Sequence, residues 1–140
     1  MGWCFAKGDP TALLIKPSPD WSIDEWSRDA EALHGVTHKK ITSKGADPKV
    51  VCETLNSALA GIDVYSDAPD WDGFWLYRLF QSAKIRQNFK LSDLNLLFRS
   101  MQPDKLSAIL IEAERLAPRK HRAAADAVHM RTIFELAFKK

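Results

Sequence analysis

The chain has 140 residues, 46% of them apolar and 27% charged, with 20 Lys/Arg against 18 Asp/Glu. A chain of this length fits one domain that buries about two-thirds of its unfolded surface, so it needs neither metal nor disulfide to fold, and its apolar content argues against wholesale disorder. No apolar run approaches ~18 residues and no charged stretch leads into an apolar one, which argues against a membrane span or secretion signal and for the cytoplasm.

The opening "GWCFAKGDPTALLIKPSP" predicts a short β-hairpin or an extended arm, with Trp3 to Lys7 and Thr11 to Lys16 on either side of a Gly8-Asp9-Pro10 turn. Met1-Gly2 resembles the start of a myristoylation signal, but Ala6 stands where that motif needs Ser or Thr. Ser22-Ile23-Asp24-Glu25 reads as a capping box that opens a helix running to about His34, with Gly35 as its left-handed stop. The following "VTHKKITSKGA" reads as a basic loop with room for a short strand. A second helix is expected from Asp47 as N-cap and Pro48 at the first position, with Val50, Val51, Leu55, Ala58 and Leu59 on one side and Gly61 at its end.

Ile62 to Ala68 reads as a loop, and Pro69 opens a third helix to about Gln87, whose inward face is expected to be Trp71, Phe74, Trp75, Arg78, Leu79 and Ser82. Ser92 is expected to cap a fourth helix with Leu94, Leu97, Phe98 and Met101 inside, and Pro103 to open a fifth with Leu106, Ile109, Leu110, Ala113 and Leu116 inside. Pro118 breaks the chain before a sixth helix over about residues 119 to 138, with Ala123, Ala127, Met130, Ile133, Phe134 and Phe138 on one face. The sum is a mainly α fold: one domain, residues 1–20 as arm or hairpin, residues 21–140 as a compact bundle of five or six helices.

Cys4 and Cys52 form no C-x-x-C pair and are expected as free, partly buried thiols. Residues 1–72 carry 7 Lys/Arg against 12 Asp/Glu and residues 73–140 carry 13 against 6. Held apart, the first half would attract a basic partner and the second a phosphate-rich one; packed together, they would cancel.

Motifs for chemistry are scarce. No G-x-S-x-G, P-loop, dinucleotide fingerprint or H-E-x-x-H is present, and no cofactor or metal is expected. His34 and His38 have the spacing of two ligands on one helix, but Gly35 falls between them. His121 and His129 read as a solvated flank of the last helix. The carboxylate pairs Asp24/Glu25 and Asp70/Asp72 lie in helix first turns, where an acid stabilises the dipole by about 0.3–1 kcal/mol. These absences weigh against an enzyme, a small unrecognised hydrolase being the residual alternative.

Two segments remain. "APRKHRAAADAVHMR" gathers Arg119, Lys120 and Arg122 at a helix start, with Arg131 further along, and would serve contact with RNA or DNA in an accessory protein. "DVYSDAPDWDGFW" packs Asp63, Asp67, Asp70 and Asp72 among Tyr65, Trp71, Phe74 and Trp75. Pro69-Asp70-Trp71 echoes Pro19-Asp20-Trp21 and serves helix initiation, with Asp67 or Asp70 as the cap. Asp63, Tyr65 and Asp72 are left without such a duty. Aromatic anchors among acids suit the face of a protein that binds a basic partner.

Acid, tyrosine and proline just before a helix, here Asp63, Tyr65 and Pro69-Asp70, resemble the partner-binding segment of bacteriocin DNase immunity proteins, small helical bundles that neutralise a basic nuclease. Toxin-neutralising immunity proteins, those of contact-dependent inhibition systems included, share no common fold. The resemblance implies a cytoplasmic, non-enzymatic inhibitor of a bacterial toxin, contacting it through Asp63, Tyr65, Asp67, Asp70, Trp71 and Asp72.

Overall fold

Six α-helices and two pairs of short strands make up a mainly α chain, described over residues 1–139 in a computed structural model. By contacts it divides into two compact units, Leu13–Leu96 and a second formed by Met1–Ala12 with the chain from Leu97 onward.

In the Leu13–Leu96 unit the first capping signal yields only one turn. Ser22 Oγ accepts from the Asp24 amide at 3.2 Å, Ile23–Glu25 is 3-10, and Trp26 returns to extended backbone. The helix expected from Ser22 therefore shortens to α1, Arg28–His34, capped by Ser27, whose Oγ accepts from the Ala30 amide at 3.1 Å. Trp26 Nε1 donates to Glu31 Oε2 at 2.7 Å; residues five apart do not face each other on one continuous helix, so this bond belongs to the interrupted chain. Gly35 ends α1 with φ 62, as expected of a left-handed stop.

The stretch read as a loop after Gly35 is instead a second helix, α2, His38–Lys44, with Thr37 Oγ1 accepting from the Lys40 amide at 3.1 Å. A seven-residue helix whose sole aliphatic side chain is Ile41 shows no apolar period. Ile15, expected in the hairpin, bridges instead to Ala46 in parallel.

α3, Pro48–Leu59, follows its signals: Asp47 Oδ1 accepts from the Lys49 amide at 2.8 Å with Pro48 at the first position. It buries Val51, Cys52, Leu55 and Leu59, whereas Val50, expected with them, is off this arc and exposed.

The largest departure follows Gly61. The expected loop contains a strand, β3, Asp63–Ser66, which pairs in parallel with β4, Lys90–Asp93, in a register running from Asp63 with Lys90 to Ser66 with Asp93. Parallel neighbours need a crossover, and α4, Pro69–Ala83, supplies it. α4 stops short of Gln87 because Lys84 turns left-handed at φ 55. β4 also displaces the helix expected from Ser92: Asp93 Oδ1 accepts from the Asn95 amide at 2.8 Å and a 3-10 segment, Leu94–Phe98, follows. α3 packs on α4, and Leu76, Leu79 and Phe80 join the α3 residues in the core, with Phe89 edge-on to Phe80 at 6.0 Å. Each such buried side chain is worth about 1.5–3 kcal/mol relative to exposure.

In the other unit the hairpin is present but small: β1, Gly2–Trp3, pairs antiparallel with β2, Thr11–Ala12. It lies on the last helix, α6, Ala123–Phe138, so closely that a Cβ on Gly2 would come within 2.7 Å of the Ala123 backbone. Cys4 Sγ donates to the Ala127 carbonyl at 3.0 Å, and both cysteines are free. α5, Pro103–Leu116, starts at its proline and packs on α6, burying Ile109 and Ala113 against Ala127 and Ile133, while Leu110 and Leu116 are exposed rather than inward.

α6 begins four residues later than residue 119, because His121 is left-handed at φ 52 and the Lys120 amide donates to Asp126 Oδ1 at 3.0 Å. His129, expected on a solvated flank, is buried, with its Nδ1–H donating to the Ala117 carbonyl at 2.8 Å.

Candidate functional site

The residues singled out in the acidic aromatic stretch come together where β3 turns into α4. Asp63 opens the strand and is exposed, and Tyr65, half-buried, lies two residues on and so on the same side of the strand. Ser66 points the other way and is buried; its Oγ accepts from the Ala68 amide at 2.9 Å and donates to Asp72 Oδ2. Asp72 thus has a structural duty that the sequence did not announce: it ties the first turn of α4 to the end of β3. The cap expected of Asp67 or Asp70 is absent, since the N-cap position is Ala68 with no side-chain bond. Asp67 and Asp70 are exposed, and Asp70 with Asp72 places negative charge at the positive end of the helix dipole.

The outward face of α4 is the main correction. Trp71, Phe74 and Trp75, expected inside, are 68%, 49% and 43% exposed, and Tyr77 is 62% exposed. α4 carries two apolar stripes, one aromatic and one made of Leu76, Leu79 and Phe80, and the second is buried. The signal available in the sequence was Arg78, which lies in the aromatic stripe, four residues beyond Phe74 and seven beyond Trp71. A cation is out of place in a core stripe but not on a partly solvated one.

Arg78 organises that face. Its guanidinium lies 5.9 Å from the Phe74 ring centroid and 5.7 Å from that of Trp75, within cation–π range, and its Nη1 is 2.7 Å from Glu25 Oε2. Phe74 and Trp75 are themselves edge-to-face at 5.2 Å. Glu25, read only as a capping acid, is therefore a neighbour of the site.

Comparison with protein-family models, curated proteins and solved structures finds no match.

The basic residues of the alternative reading do not share one helix. Arg119, Lys120 and Arg122 precede α6, and Arg131 is within it, where its Nη1 donates to the Gly8 carbonyl at 2.6 Å and reaches the Phe5 carbonyl at 3.4 Å, holding the hairpin. His34 and His38 both lie edge-on to Trp26, at 6.4 and 5.3 Å, and the Val36 amide donates to His34 Nδ1 at 3.1 Å. Among the described residues no group of three or more His, Cys, Asp or Glu is placed to hold a metal ion, and no helix is long and apolar enough to cross a membrane. What the α4 face offers is exposed aromatic area bordered by carboxylates.

Proposed function

We propose that this chain is a non-enzymatic inhibitor that works by binding another protein, of the toxin-neutralising immunity class, and that its contact surface is the β3–α4 turn with the outer face of α4. The observation that carries the reading is that α4 turns Trp71, Phe74, Trp75 and Tyr77 toward solvent while burying Leu76, Leu79 and Phe80. Exposed aromatic patches of this kind mark interaction sites, and Trp, Tyr and Arg are the residues that concentrate binding energy at interfaces. Residues 63–77 hold four Asp and no Lys or Arg, and the Arg78 of this face is already paired with Glu25, so the partner that suits the remaining charge is basic, as a nuclease is around its phosphate-binding cleft.

Asp63, Asp67 and Asp70 steer that partner and fix its register, Tyr65 borders the contact, and Trp71, Phe74 and Trp75 anchor it. Asp72 belongs to the surface through the turn it holds.

The gene of an immunity protein lies beside that of its toxin, so the product of the adjacent gene is the partner to purify. The double reversal Asp63→Lys with Asp70→Lys lowers affinity for it more than about tenfold, while both residues are exposed and the unfolding midpoint falls only by what reversing Asp70 takes from the helix dipole, about 1–2 kcal/mol at most. Equal affinity of wild type and double variant removes this surface from the account.

A further inference from the structure

α2 carries charge that its own fold does not use. Of the seven Lys/Arg in residues 1–72, four are Lys39, Lys40, Lys44 and Lys49, and residues 32–46 contain no Asp or Glu. Lys40 and Lys44 are four apart on the helix, where like charges repel. Among the described residues none of these four lysines enters an ion pair.

The helix keeps this charge apart from its packing. With about 3.6 residues per turn, His38, Ile41 and Thr42 share one side of α2, and Lys39, Lys40, Ser43 and Lys44 the other. His38 and Ile41 are half-buried, with the His38 ring 5.3 Å from Trp26, whereas the three lysines and Ser43 are exposed. The acids that precede α2 belong to the Trp26 segment. Glu31 is held by Trp26 and Glu25 by Arg78, with Asp24 and Asp29 beside them in sequence. At the C-terminal end of α2 the Lys16 amide donates to the Ala46 carbonyl at 2.8 Å, and Asp47 Oδ1 accepts from the Lys49 amide. Five lysines thus stand with one acid, Asp47, which already caps α3.

What the outward face of α2 lacks says what it fits. It has no apolar side chain to enter a lipid interface and no aromatic ring on which the bases of a single strand would stack. It has no Trp, Tyr or Arg anchor of a protein interface, and lysine is depleted from the cores of such interfaces. Lysine is a point charge suited to phosphate oxygens, and a duplex presents about one phosphate charge per 1.7 Å of its axis.

We propose that the outward face of α2 contacts the phosphate backbone of double-stranded nucleic acid through Lys39, Lys40 and Lys44, supported by Lys16 and Lys49, without reading its sequence. The contact is independent of the reading of α4 and uses none of the basic residues that precede α6.

The test is fluorescence anisotropy of a labelled mixed-sequence DNA duplex titrated with the full chain between ~50 and ~200 mM salt. The wild type binds with a log–log salt slope of about −3 to −5, set by three to five lysine–phosphate contacts. Lys39→Gln with Lys40→Gln and Lys44→Gln weakens binding at ~50 mM salt at least about tenfold and makes the slope shallower by about 2.7. The single variant Lys44→Gln makes it shallower by about 0.9. Arginine at the same three positions keeps wild-type binding, as does Arg119→Gln with Lys120→Gln and Arg122→Gln.

No duplex binding at ~50 mM salt, or equal binding by wild type and the α2 glutamine variants, overturns the proposal. Loss of binding in the Arg119, Lys120 and Arg122 variant alone overturns it in favour of that cluster. A loss as deep with arginine as with glutamine excludes charge as the cause and overturns it too. Tighter binding of the single strand, or of phosphatidylserine vesicles, than of the duplex overturns the choice of partner.

Discussion

Ser66 and Asp72 are joined by a hydrogen bond that spans the turn from β3 to α4, Ser66 Oγ donating to Asp72 Oδ2 while accepting from the Ala68 amide. With Ser66 only 2% exposed, its hydroxyl stands in for the side-chain cap that α4 lacks. Ser66→Ala leaves the Ala68 amide and one side of Asp72 without their partner and is expected to cost about 1–2 kcal/mol, read as a lower urea midpoint at unchanged slope. For the same reason Asp72 is a poor position for testing binding, because its loss disturbs the helix start as well as the surface.

Gly73→Ala makes the opposite prediction. The helix gains about 0.5–1 kcal/mol from the propensity difference, and the new methyl group finds Leu91 at ordinary contact distance. Urea unfolding of the variant therefore shows a higher midpoint. A lower one means that the methyl group crowds Leu91.

The helices that announced themselves did so through terminal chemistry combined with an apolar period. Asp47-Pro48 and Pro103 start α3 and α5, and Gly35 stops α1 where expected. What stayed hidden had local signals that competed. Ser22 and Ser27 both cap, and the Trp26–Glu31 bond divides what reads as one helix. α2 is too short and polar to show a period.

β3 and β4 are four residues each and depend on a partner 27 positions away in register, which no local pattern reveals. In the site, the acids and Tyr65 were legible as a group. The orientation of α4 was not, because its Trp71–Phe74–Trp75 stripe and its Leu76–Leu79–Phe80 stripe both have helical spacing and only packing on α3 chooses between them. Asp72 reads as spare in the sequence because its partner, Ser66, falls in a stretch with no local strand signal.

Arg131 holds the Gly8 carbonyl at 2.6 Å. Arg131→Met keeps much of the aliphatic stem and removes the donor, at a cost of about 1 kcal/mol for a partly exposed charged hydrogen bond. Hydrogen exchange at residues 2–12 then accelerates relative to the α5 and α6 amides. If exchange in the hairpin is unchanged, Arg131 does not secure it.

Cys52 is fully buried, and desolvation, with a smaller contribution from the Glu53 charge, pushes its thiol up from 9.0 to about 11. The folded state thus keeps a proton that the unfolded state gives up first. Stability associated with this thiol is intact below pH 9.0 and is lost progressively as the pH rises toward about 11. Cys52→Ala lowers stability at neutral pH by opening a small cavity, yet flattens its decline across that window. A decline as steep in the variant as in wild type excludes Cys52 as its source.

On the proposed reading, the outer face of α4 grips a partner through the aromatic side chains it exposes. Calorimetric titration of the product of the adjacent gene into wild type and into Trp71→Ala with Trp75→Ala tests it most directly. The expected result is an affinity loss of at least about thirtyfold, the ~2 kcal/mol of a hot-spot truncation, with the unfolding midpoint lowered only by the packed part of Trp75, since Trp71 is 68% and Trp75 43% exposed. Unchanged affinity in a folded double variant, or no binding of that product by the wild-type chain, contradicts it.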